Sequence, residues 1–529
     1  MVLVAAASII IDVFFLNDAK NSHIAISLFK IVILSLSIYT SMYYQFPEIL
    51  GNDPWWHNAM IQEIVYHGHI PSEQIGGGAN IYYIFPIFHL IGAIATIITS
   101  LPIYSSIFGS VGIPFAIAII FVFLIGRKLV SVKAGLLAAL IVSLTASTIE
   151  RATAIIPMSL GYIFFLAILY LTLSYDKRKN SFSMLIILLS ITLILTHPIA
   201  ALVILLVLIV IFVSIRLYKT LEKSDIKNEA VSLTFIIFFG VTMITRWMQN
   251  PPRGMALFDY SLRNLIGSLK IDAQFVLATS PSPDTTIGNI SSEIALLEQS
   301  GFLILLFLAI IGVLIFLHSS IRNTKRIALV SIAGLLISIP YIFLLFKLKN
   351  ILPDRWFIFL YVPLSILTIA GLLCVSNLIK NKVGKMTVVA LVVLAIIFTM
   401  TTNSIANGDS PLFFNGVVRI GFTQSEHTAI KTLSKIDVHP ITDDYYISIF
   451  PYIIGYDKYS NMVQSKNRVL ILRDYYLHNP EWNEKYLTRL YETGFGYYVP
   501  DIISNYAKNY EIGKKSLIYN NGNVKVYPI

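Results

Sequence analysis

The chain has 529 residues, of which 56% are hydrophobic and 13% charged, and its mean hydropathy is +0.74. Soluble domains average about 45–50% apolar and about 25% charged residues, so the composition excludes an ordinary soluble enzyme. The net charge of +10 does not indicate a nucleic-acid partner, because the excess of Lys and Arg lies in short segments between apolar runs. The one cysteine, Cys374, lies inside such a run, which excludes a disulfide framework and a cysteine metal site.

Apolar runs recur along the chain from its first residues. Residues 2–16 have no basic segment before them, so they are not expected to be a secretory signal peptide. The run is also short, as it would be if the start of the sequence had been placed too late. A second run extends from residue 24 to about 44. With the runs that follow, we expect about twelve transmembrane helices and additional juxtamembrane helices. The later crossings are expected near residues 107–126, 134–150, 155–174, 182–196, 199–216, 230–247, 300–317, 327–346, 356–379 and 387–402.

Charged loops give these crossings an orientation. Basic clusters such as 177–179 and 216–227 all fall on one side of the membrane if the apolar segment 81–101 does not cross it. Residues 45–106 contain no Lys or Arg and carry several acidic residues. The positive-inside rule then places the basic clusters in the cytoplasm and 45–106 outside. We therefore expect 81–101 to dip into the membrane or to lie along its surface.

The last 127 residues, 403–529, have the composition of a soluble domain and follow the final crossing. Residues 468–472 are typical of a strand, and 516–519 with 524–527 flank an Asn-Gly turn as in a β-hairpin. The predicted fold is thus a polytopic α-helical membrane domain, 1–402, with a small extracytoplasmic α/β domain, 403–529. The chain is predicted to be a multi-pass protein of the cell membrane.

The most distinctive polar segment is Gly51-Asn52-Asp53-Pro54-Trp55-Trp56-His57, in the first outer loop. It is expected to open a helix that ends at Gly68, with Asp53 and His57 four residues apart and able to share a face. Asp53 before Pro54 is also a good helix cap, which is a purely structural role. The functional alternative is that Asp53 is a carboxylate that takes a proton from an acceptor hydroxyl.

Further polar residues lie at the predicted outer ends of the helices rather than at their middles. Glu150 and Arg151 form either a structural ion pair or a second catalytic cluster. His197 is the tip of a tight helical hairpin and a candidate donor to a phosphate or a sugar. Arg246 and Arg355 either anchor helices at lipid headgroups or bind the phosphate of a lipid. Such an arrangement favours chemistry at the outer surface over passage through the membrane.

Metal binding is only weakly indicated. His67 and His69 are close together but have no fixed third ligand, so a solvated loop is the favoured interpretation. No metal site and no cofactor are predicted, although a divalent metal is left open. Asn289-Ile290-Ser291 is a glycosylation sequon on the predicted outer side and says nothing about activity.

The order of these segments resembles the GT-C superfamily of integral-membrane glycosyltransferases, which includes protein mannosyltransferases, aminoarabinose transferases and oligosaccharyltransferases. The resemblance rests on Asp53-Pro54-Trp55-Trp56-His57, on the aromatic-Pro segment 82–90, on 124–129, and on Glu150-Arg151-Ala152. It covers roughly residues 24–220 and, more loosely, 353–373. In that superfamily the aromatic-Pro segment is juxtamembrane.

The resemblance implies roles for particular residues. Asp53 would match the acidic residue of the first loop, a proposed base or a ligand of metal or acceptor, and Glu150-Arg151 the second polar cluster. Arg355 would match a basic residue near the lipid phosphate. Asp53-Pro54-Trp55 and, faintly, Ser291-Ser292-Glu293 also resemble oligosaccharyltransferases, but residues 403–529 contain no Trp-Trp-Asp motif and Met60 stands where an arginine is expected.

The predicted activity is transfer of a sugar from a polyprenyl-phosphate carrier to a lipid-linked glycan or a protein, on the outer membrane face. Asp53 would act on the acceptor, and Arg355, Arg246 and His197 would stabilise the departing phosphate. The partners are therefore the lipid-linked sugar, the glycan or protein acceptor and membrane lipids, with no nucleic acid. Competing hypotheses are an oligosaccharyltransferase-like enzyme, a transporter or flippase of lipid-linked sugars, which would need charged or broken helices at the midplane, and a non-catalytic scaffold.

Overall fold

The computed structural model describes residues 1–15, 21–46, 49–72, 80–174, 180–222, 231–252, 254–269, 292–318, 323–345, 353–403, 406, 421–442, 444–473, 519–521 and 524–528. The chain divides into two compact units. The membrane unit comprises Met1–Tyr39, Ile61–Thr279 and Leu296–Asn407, and the C-terminal unit comprises Thr40–Met60, Ser280–Ala295 and Gly408–Ile529. The grouping of 40–60 with the end of the chain is not visible in the sequence, and the boundary between 402 and 403 stays a prediction.

Helices make up nearly all of the membrane unit. Short 3-10 turns at Ile81–Tyr83 and Pro353–Trp356 and a π turn at Phe108–Gly112 interrupt the series. Helix α3 runs from the C-terminal unit into the membrane unit. In chain order the helices are α1 (Val2–Phe15), α2 (Asn21–Gln45), α3 (Asn52–His67), α4 (Ile87–Thr99), α5 (Ile103–Ile107), α6 (Ile113–Ile117), α7 (Ile119–Leu129), α8 (Val132–Ser143), α9 (Ala146–Thr153), α10 (Pro157–Ser174), α11 (Asn180–Ile194), α12 (Pro198–Glu222), α13 (Leu233–Trp247), α14 (Leu257–Leu269), α15 (Ser292–Leu317), α16 (Thr324–Leu345), α17 (Phe357–Ser376) and α18 (Lys382–Thr402).

Within the described residues, eight helical stretches are long and apolar enough to cross a membrane, and the bent pair α8–α9 would be a ninth. The chain is thus a multi-pass membrane protein. The expected twelve crossings included α1, α11 and α13, which are apolar but shorter than a full span. The eight stretches are Asn21–Ser41, Ile103–Leu129, Pro157–Ser174, Pro198–Thr220, Gln299–Leu317, Thr324–Ile342, Phe357–Ser376 and Lys382–Thr402.

The segment predicted not to cross contains the short helix α4. Its 13 residues rise about 1.5 Å each, giving about 20 Å, whereas the hydrocarbon core is about 30 Å thick. This length agrees with the expectation, drawn from the loop charges, that 81–101 does not span the membrane. Phe88, His89, Gly92 and Ala93 are buried on one face of the helix.

The segment predicted to cross at 134–150 is not one straight helix, because α8 and α9 meet at an angle of 59°. Thr145 lies at the break and donates its hydroxyl to the Val142 carbonyl. The Tyr39 hydroxyl donates to the Ser143 carbonyl over 2.8 Å. Hydroxyl groups that bond to the main chain of the preceding turn bend helices, and here a tyrosine from α2 satisfies a carbonyl at the bend. The bend sets the direction of α9, which carries Glu150 and Arg151.

Glycines allow the central helices to pack backbone to backbone. A Cβ added to Gly312 on α15 would lie 2.0 Å from the Leu367 carbonyl oxygen, and one added to Gly371 on α17 would lie 2.2 Å from the Leu308 oxygen. Such contacts between small residues drive helix association where lipid removes the hydrophobic effect. On α17 the side chains from Ile358 to Leu372 are all buried, so this helix forms the centre of the unit.

The C-terminal unit contains α19 (Gln424–Leu433), β1 (His439–Ile441), α20 (Asp444–Ile454), α21 (Tyr456–Gln464), β2 (Arg468–Arg473), β3 (Tyr519–Asn520) and β4 (Val524–Pro528). The four strands form one sheet in the order β1-β2-β4-β3, parallel between β1 and β2 and antiparallel elsewhere. The strand at 468–472 and the described part of the hairpin are confirmed. Residues 516–518 lie outside the described residues.

Candidate functional site

In the membrane unit, helix α9 presents the first pair of candidate residues. Arg151 Nη2 lies 2.9 Å from Glu150 Oε1, with 9% of the Arg151 side chain and 30% of the Glu150 side chain exposed. The backbone at this point is tied to the start of α10, because the Ser159 hydroxyl donates to the Arg151 carbonyl over 2.7 Å. The two residues therefore form an ion pair, but one in which the cation is buried and only the carboxylate reaches solvent.

His197 occupies the turn between α11 and α12 and is 2% exposed. Its Nδ1 accepts a hydrogen bond from the Ala200 main-chain N–H over 3.3 Å, so it caps α12 with Pro198 in the first helical position. Since Nδ1 is the acceptor, the ring proton lies on Nε2. On α10, Gly161 makes room for this turn, because a Cβ there would lie 3.3 Å from the His197 Cβ.

Two arginines set the electrostatic environment of His197. Burial, followed by the positive charges of Arg355 and Arg151, lowers the pKa of His197 to about 3. His197 is therefore neutral at physiological pH and offers an N–H donor rather than a charge. Arg355 lies in the 3-10 turn Pro353–Trp356 before α17, where the neighbouring Trp356 is completely buried and anchors the chain. Arg151, His197 and Arg355, from three separate parts of the sequence, thus interact electrostatically and are called here the cation cluster.

Arg246 lies in the last turn of α13. Its Nε donates to the Ile84 carbonyl over 2.7 Å and its Nη1 donates to the Gln249 side chain. It borders a groove of about 320 Å³ between α11 and α13, whose walls are mainly aliphatic. The guanidinium therefore holds the aromatic-Pro segment against α13, and the charges that act on His197 are those of Arg355 and Arg151.

Asp53 and His57 belong to the C-terminal unit. Helix α3 begins at Asn52, so Asp53 lies in its first turn rather than before it, and Gly51 makes the entry with φ of +80°. The helix therefore starts two residues earlier than a cap at Asp53 requires. Asp53 is exposed and His57 is 3% exposed, with its ring against the edge of Trp56.

The remaining sequence-based candidates are peripheral. His67 pairs with Glu63 over 3.1 Å and its ring stacks on His69, but the two histidines are exposed and Glu63 is only half-buried. In the part of the chain that the structure describes, no three His, Cys, Asp or Glu side chains come together as a metal site would require. The sequon at 289–291 lies outside the described residues.

The structure also identifies contacts that sequence reasoning missed. Trp55 is more deeply buried than the adjacent Trp56, and its ring lies 5.3 Å from that of His427. The two residues are 372 positions apart, and no local pattern connects them. Ser159 and Gly161, which support Arg151 and His197, lie in an unremarkable apolar run.

Neither a scan against protein-family models nor a search of curated proteins finds a match for this chain. Solved structures do resemble it. The apo oligosaccharyltransferase of Archaeoglobus fulgidus aligns with a TM-score of 0.51 and 13% identity, over 84% of this chain and 69% of that one. AglB from the same organism, in complex with an inhibitory peptide and a dolichol-phosphate, aligns with a TM-score of 0.50 and 12% identity. This alignment covers 81% of the present chain and 63% of AglB. ArnT from Cupriavidus metallidurans, bound to undecaprenyl phosphate, aligns with a TM-score of 0.49 and 10% identity, over 96% of the present chain and 98% of ArnT.

Identities this low show a shared fold alone, and the chain spans 63% of the length of the AglB chain that it matches. The similarity extends over more than four-fifths of the present sequence. The chain shares the fold of the Archaeoglobus fulgidus oligosaccharyltransferase structures.

Proposed function

We propose that the chain is a glycosyltransferase that moves a sugar from a polyprenyl-phosphate carrier to a lipid-linked glycan or a protein. The observation that carries the proposal is the cation cluster. The positive charges of two guanidinium groups, those of Arg355 and Arg151, act on a buried, neutral imidazole that keeps an N–H on Nε2. Phosphate oxygens are the ligands that arginine forks bind best, and donors fixed before the reaction stabilise charge that develops on a leaving group.

Each residue then has a role. Arg355 and Arg151 bind the phosphate of the carrier, and Nε2–H of His197 donates to the oxygen that becomes free when the glycosidic bond breaks. Glu150 balances part of the charge of Arg151. Asp53 takes the proton from the acceptor hydroxyl as the new bond to the sugar forms. Arg246 supports the site through the Ile84 carbonyl.

A metal has no assigned step. One structure of the Archaeoglobus fulgidus oligosaccharyltransferase is a complex with zinc and sulfate, which leaves a divalent metal open in this chain. However, Asp53 stands on an exposed helical turn, and the described His, Cys, Asp and Glu residues do not gather into a cage. These residues do not fit a metal held by protein ligands alone, and the roles above use none.

We further propose that Asp53 and the C-terminal unit lie on the outer side of the membrane. The grouping of residues 40–60 with 408–529 in one compact unit supports a common side for both. Single cysteines at Ser72 and Ser410 should react with a membrane-impermeant maleimide added from outside, whereas one at Ser174 should not. Opposite accessibility of the first two sites would contradict this topology.

An oligosaccharyltransferase-like activity is the second candidate. It is favoured by the fold shared with AglB, which was solved with an inhibitory peptide and a dolichol-phosphate. It would make a peptide, rather than a lipid-linked glycan, the acceptor. Competition between a sequon peptide and a lipid-linked glycan for one labelled donor would decide between the two.

The donor is the most direct test. Purified protein in detergent should transfer sugar from a polyprenyl-phosphate donor and not from a UDP- or GDP-sugar, because the segments predicted to be cytoplasmic are too short to form a domain that could cradle a nucleotide. Transfer from a nucleotide sugar alone would overturn the donor, the orientation and the mechanism. Movement of the lipid-linked sugar across a liposome membrane without formation of a new glycosidic bond would instead identify a transporter.

A further inference from the structure

The first of two contacts in the C-terminal unit joins helix α3 to helix α19. The Trp55 and His427 rings lie 5.3 Å apart with an interplanar angle of 32°, and the two residues are 7% and 3% exposed. Phe422 also contacts His427, with ring centroids 6.4 Å apart in an edge-to-face arrangement. Trp55 follows Asp53 by two residues, so this stack fixes the backbone immediately after the proposed catalytic carboxylate.

The second contact lies before Asp53. Phe46 is 1% exposed, and its ring covers Gly421 so closely that an added Cβ would lie 2.3 Å from the Phe46 Cγ. Between the two contacts, Ile49 and Leu50 are also buried, at 6% and 1% exposure. The segment that carries Asp53 is therefore held on both sides, and Asp53 is exposed between the fixed points.

The surface that holds this segment is itself well ordered by internal contacts. Thr423 and Glu426 form a capping box at the start of α19, and the Tyr446 hydroxyl donates to the Glu426 carbonyl over 2.6 Å. The completely buried Arg473 lies 3.6 Å from the Glu426 carboxylate and 5.4 Å from the centres of the Phe422 and Tyr446 rings. Strand β2 thus supports α19, and α19 supports the segment around Asp53.

We propose that the C-terminal unit positions Asp53 for sugar transfer through the Trp55–His427 and Phe46–Gly421 contacts, so that His427 and Gly421 are positioning residues although they are far from Asp53 in sequence. The inference rests on the proposed function, in which Asp53 acts on the acceptor. It gives the C-terminal unit a part in the reaction instead of a separate role as a scaffold. Neither residue touches the carrier phosphate, which the proposed function assigns to the membrane unit.

Gly421→Ala is the sharpest perturbation. Ordinary contact begins near 3.4 Å, so a methyl group 2.3 Å from the Phe46 Cγ must move the ring and its backbone by about 1 Å. Misplacement of a catalytic group by about 1 Å costs on the order of 100-fold in rate. We expect kcat to fall by about that factor, while the Kd for sugar-free polyprenyl phosphate stays within about two-fold of wild type, because the arginines that bind it are unchanged.

A double-mutant cycle separates positioning from general damage. Phe46→Ala removes the ring that the methyl group meets, so the Gly421→Ala change should cost activity only when Phe46 is present. The double variant should therefore be no slower than Phe46→Ala alone. At the other contact, His427→Ala should lower kcat and His427→Phe, which keeps a stacked ring, should restore it. His439→Ala removes another histidine of the unit, bonded to the Val463 carbonyl, and should leave kcat unchanged.

The outcomes are distinct. Full kcat in both Gly421→Ala and His427→Ala would overturn the positioning role, and so would equal losses from Gly421→Ala with and without Phe46. A higher Kd for polyprenyl phosphate in step with the lower kcat would also overturn it, because that pattern indicates global damage. If wild type transfers no sugar from any polyprenyl-phosphate donor, the proposed function fails. If wild type is active and these variants match it, only the present inference fails.

Discussion

Replacing Glu150 by Gln is expected to weaken the fold and to strengthen phosphate binding in the same protein. The change removes the carboxylate that lies 2.9 Å from the Arg151 guanidinium and keeps the shape of the side chain. If the pair only stabilises the bend before α10, stability should fall and ligand affinity should stay unchanged. If Arg151 belongs to a phosphate site, removal of the neighbouring negative charge should lower the stability of the fold and raise the affinity for phosphate.

The stability effect follows from the burial of the two partners. Loss of one partner of a fully buried pair costs about 3–5 kcal/mol, and loss of an exposed pair costs about 0–1 kcal/mol. Arg151 is 9% exposed but Glu150 is 30% exposed, so solvent screens part of the interaction. We expect the free energy of unfolding to decrease by about 2 kcal/mol.

The affinity effect follows from Coulomb's law. A phosphate that contacts Arg151 on the side away from Glu150 would lie roughly 7 Å from that carboxylate. At an effective dielectric constant near 20, the repulsion between two unit charges at that distance is about 2.4 kcal/mol. Its removal should lower the Kd for polyprenyl phosphate by about 50-fold, or somewhat less where solvent enters the site.

The assay measures both quantities on detergent-purified protein, with tryptophan fluorescence for the Kd of polyprenyl phosphate and differential scanning fluorimetry for Tm. Glu63→Gln is the matched control, because Glu63 also has an ion-pair partner, but that partner, His67, is 48% exposed whereas Arg151 is buried. It should change neither value. A Glu150→Gln variant with lower Tm and an unchanged or higher Kd would refute the assignment of Arg151 to the phosphate site.

Other predictions address separate parts of the molecule. Asp53→Asn should abolish transfer with an unchanged Kd for polyprenyl phosphate, and near-normal transfer would return Asp53 to a structural role. Gly312→Ala should lower Tm, because its Cβ would lie 2.0 Å from a carbonyl oxygen, whereas Gly334→Ala, with no atom within 4 Å, should raise Tm slightly through helix propensity. Burial and Lys431 lower the pKa of His427 to about 4, so the unfolded chain, whose His titrates near 6.5, takes up the proton first as the pH falls. Stability should therefore decrease between about pH 6.5 and 4, and His427→Phe should remove this part of the decrease; an unchanged pH profile would contradict the burial argument.

The apolar periodicity and the loop charges predicted much of the fold. Runs of apolar residues mark the long helices because lipid leaves the backbone only its own hydrogen-bonding partners. Residues 81–101 were predicted not to cross because a crossing would reverse every later loop, and helix α4 is indeed too short to span the membrane. The hairpin turn at 520–523 was visible because Asn-Gly has a strong local preference for such turns.

Sequence patterns could not show the features that depend on distant partners. The bend between α8 and α9 depends on a hydroxyl from Tyr39, which no pattern near residue 144 contains. Similarly, Trp55 and Trp56 are adjacent, and only the position of His427 decides which of the two is buried more deeply. The candidate residues were found one by one from their expected position at helix ends, but the convergence of Arg151 and Arg355 on His197 required the folded chain.

The charge balance of the cation cluster suits the proposed reaction. Arg151 and Arg355 are cations, Glu150 offsets one positive charge, and His197 is neutral, which leaves about one net positive charge. A sugar on a polyprenyl phosphate has one negative charge, whereas the released carrier phosphate has nearly two at neutral pH. A site with three full cations would hold the released carrier too tightly. In addition, binding energy that is the same in the ground state and in the transition state does not raise kcat. A neutral N–H donor aimed at the leaving oxygen strengthens as charge develops there, so the low pKa of His197 favours turnover over product retention.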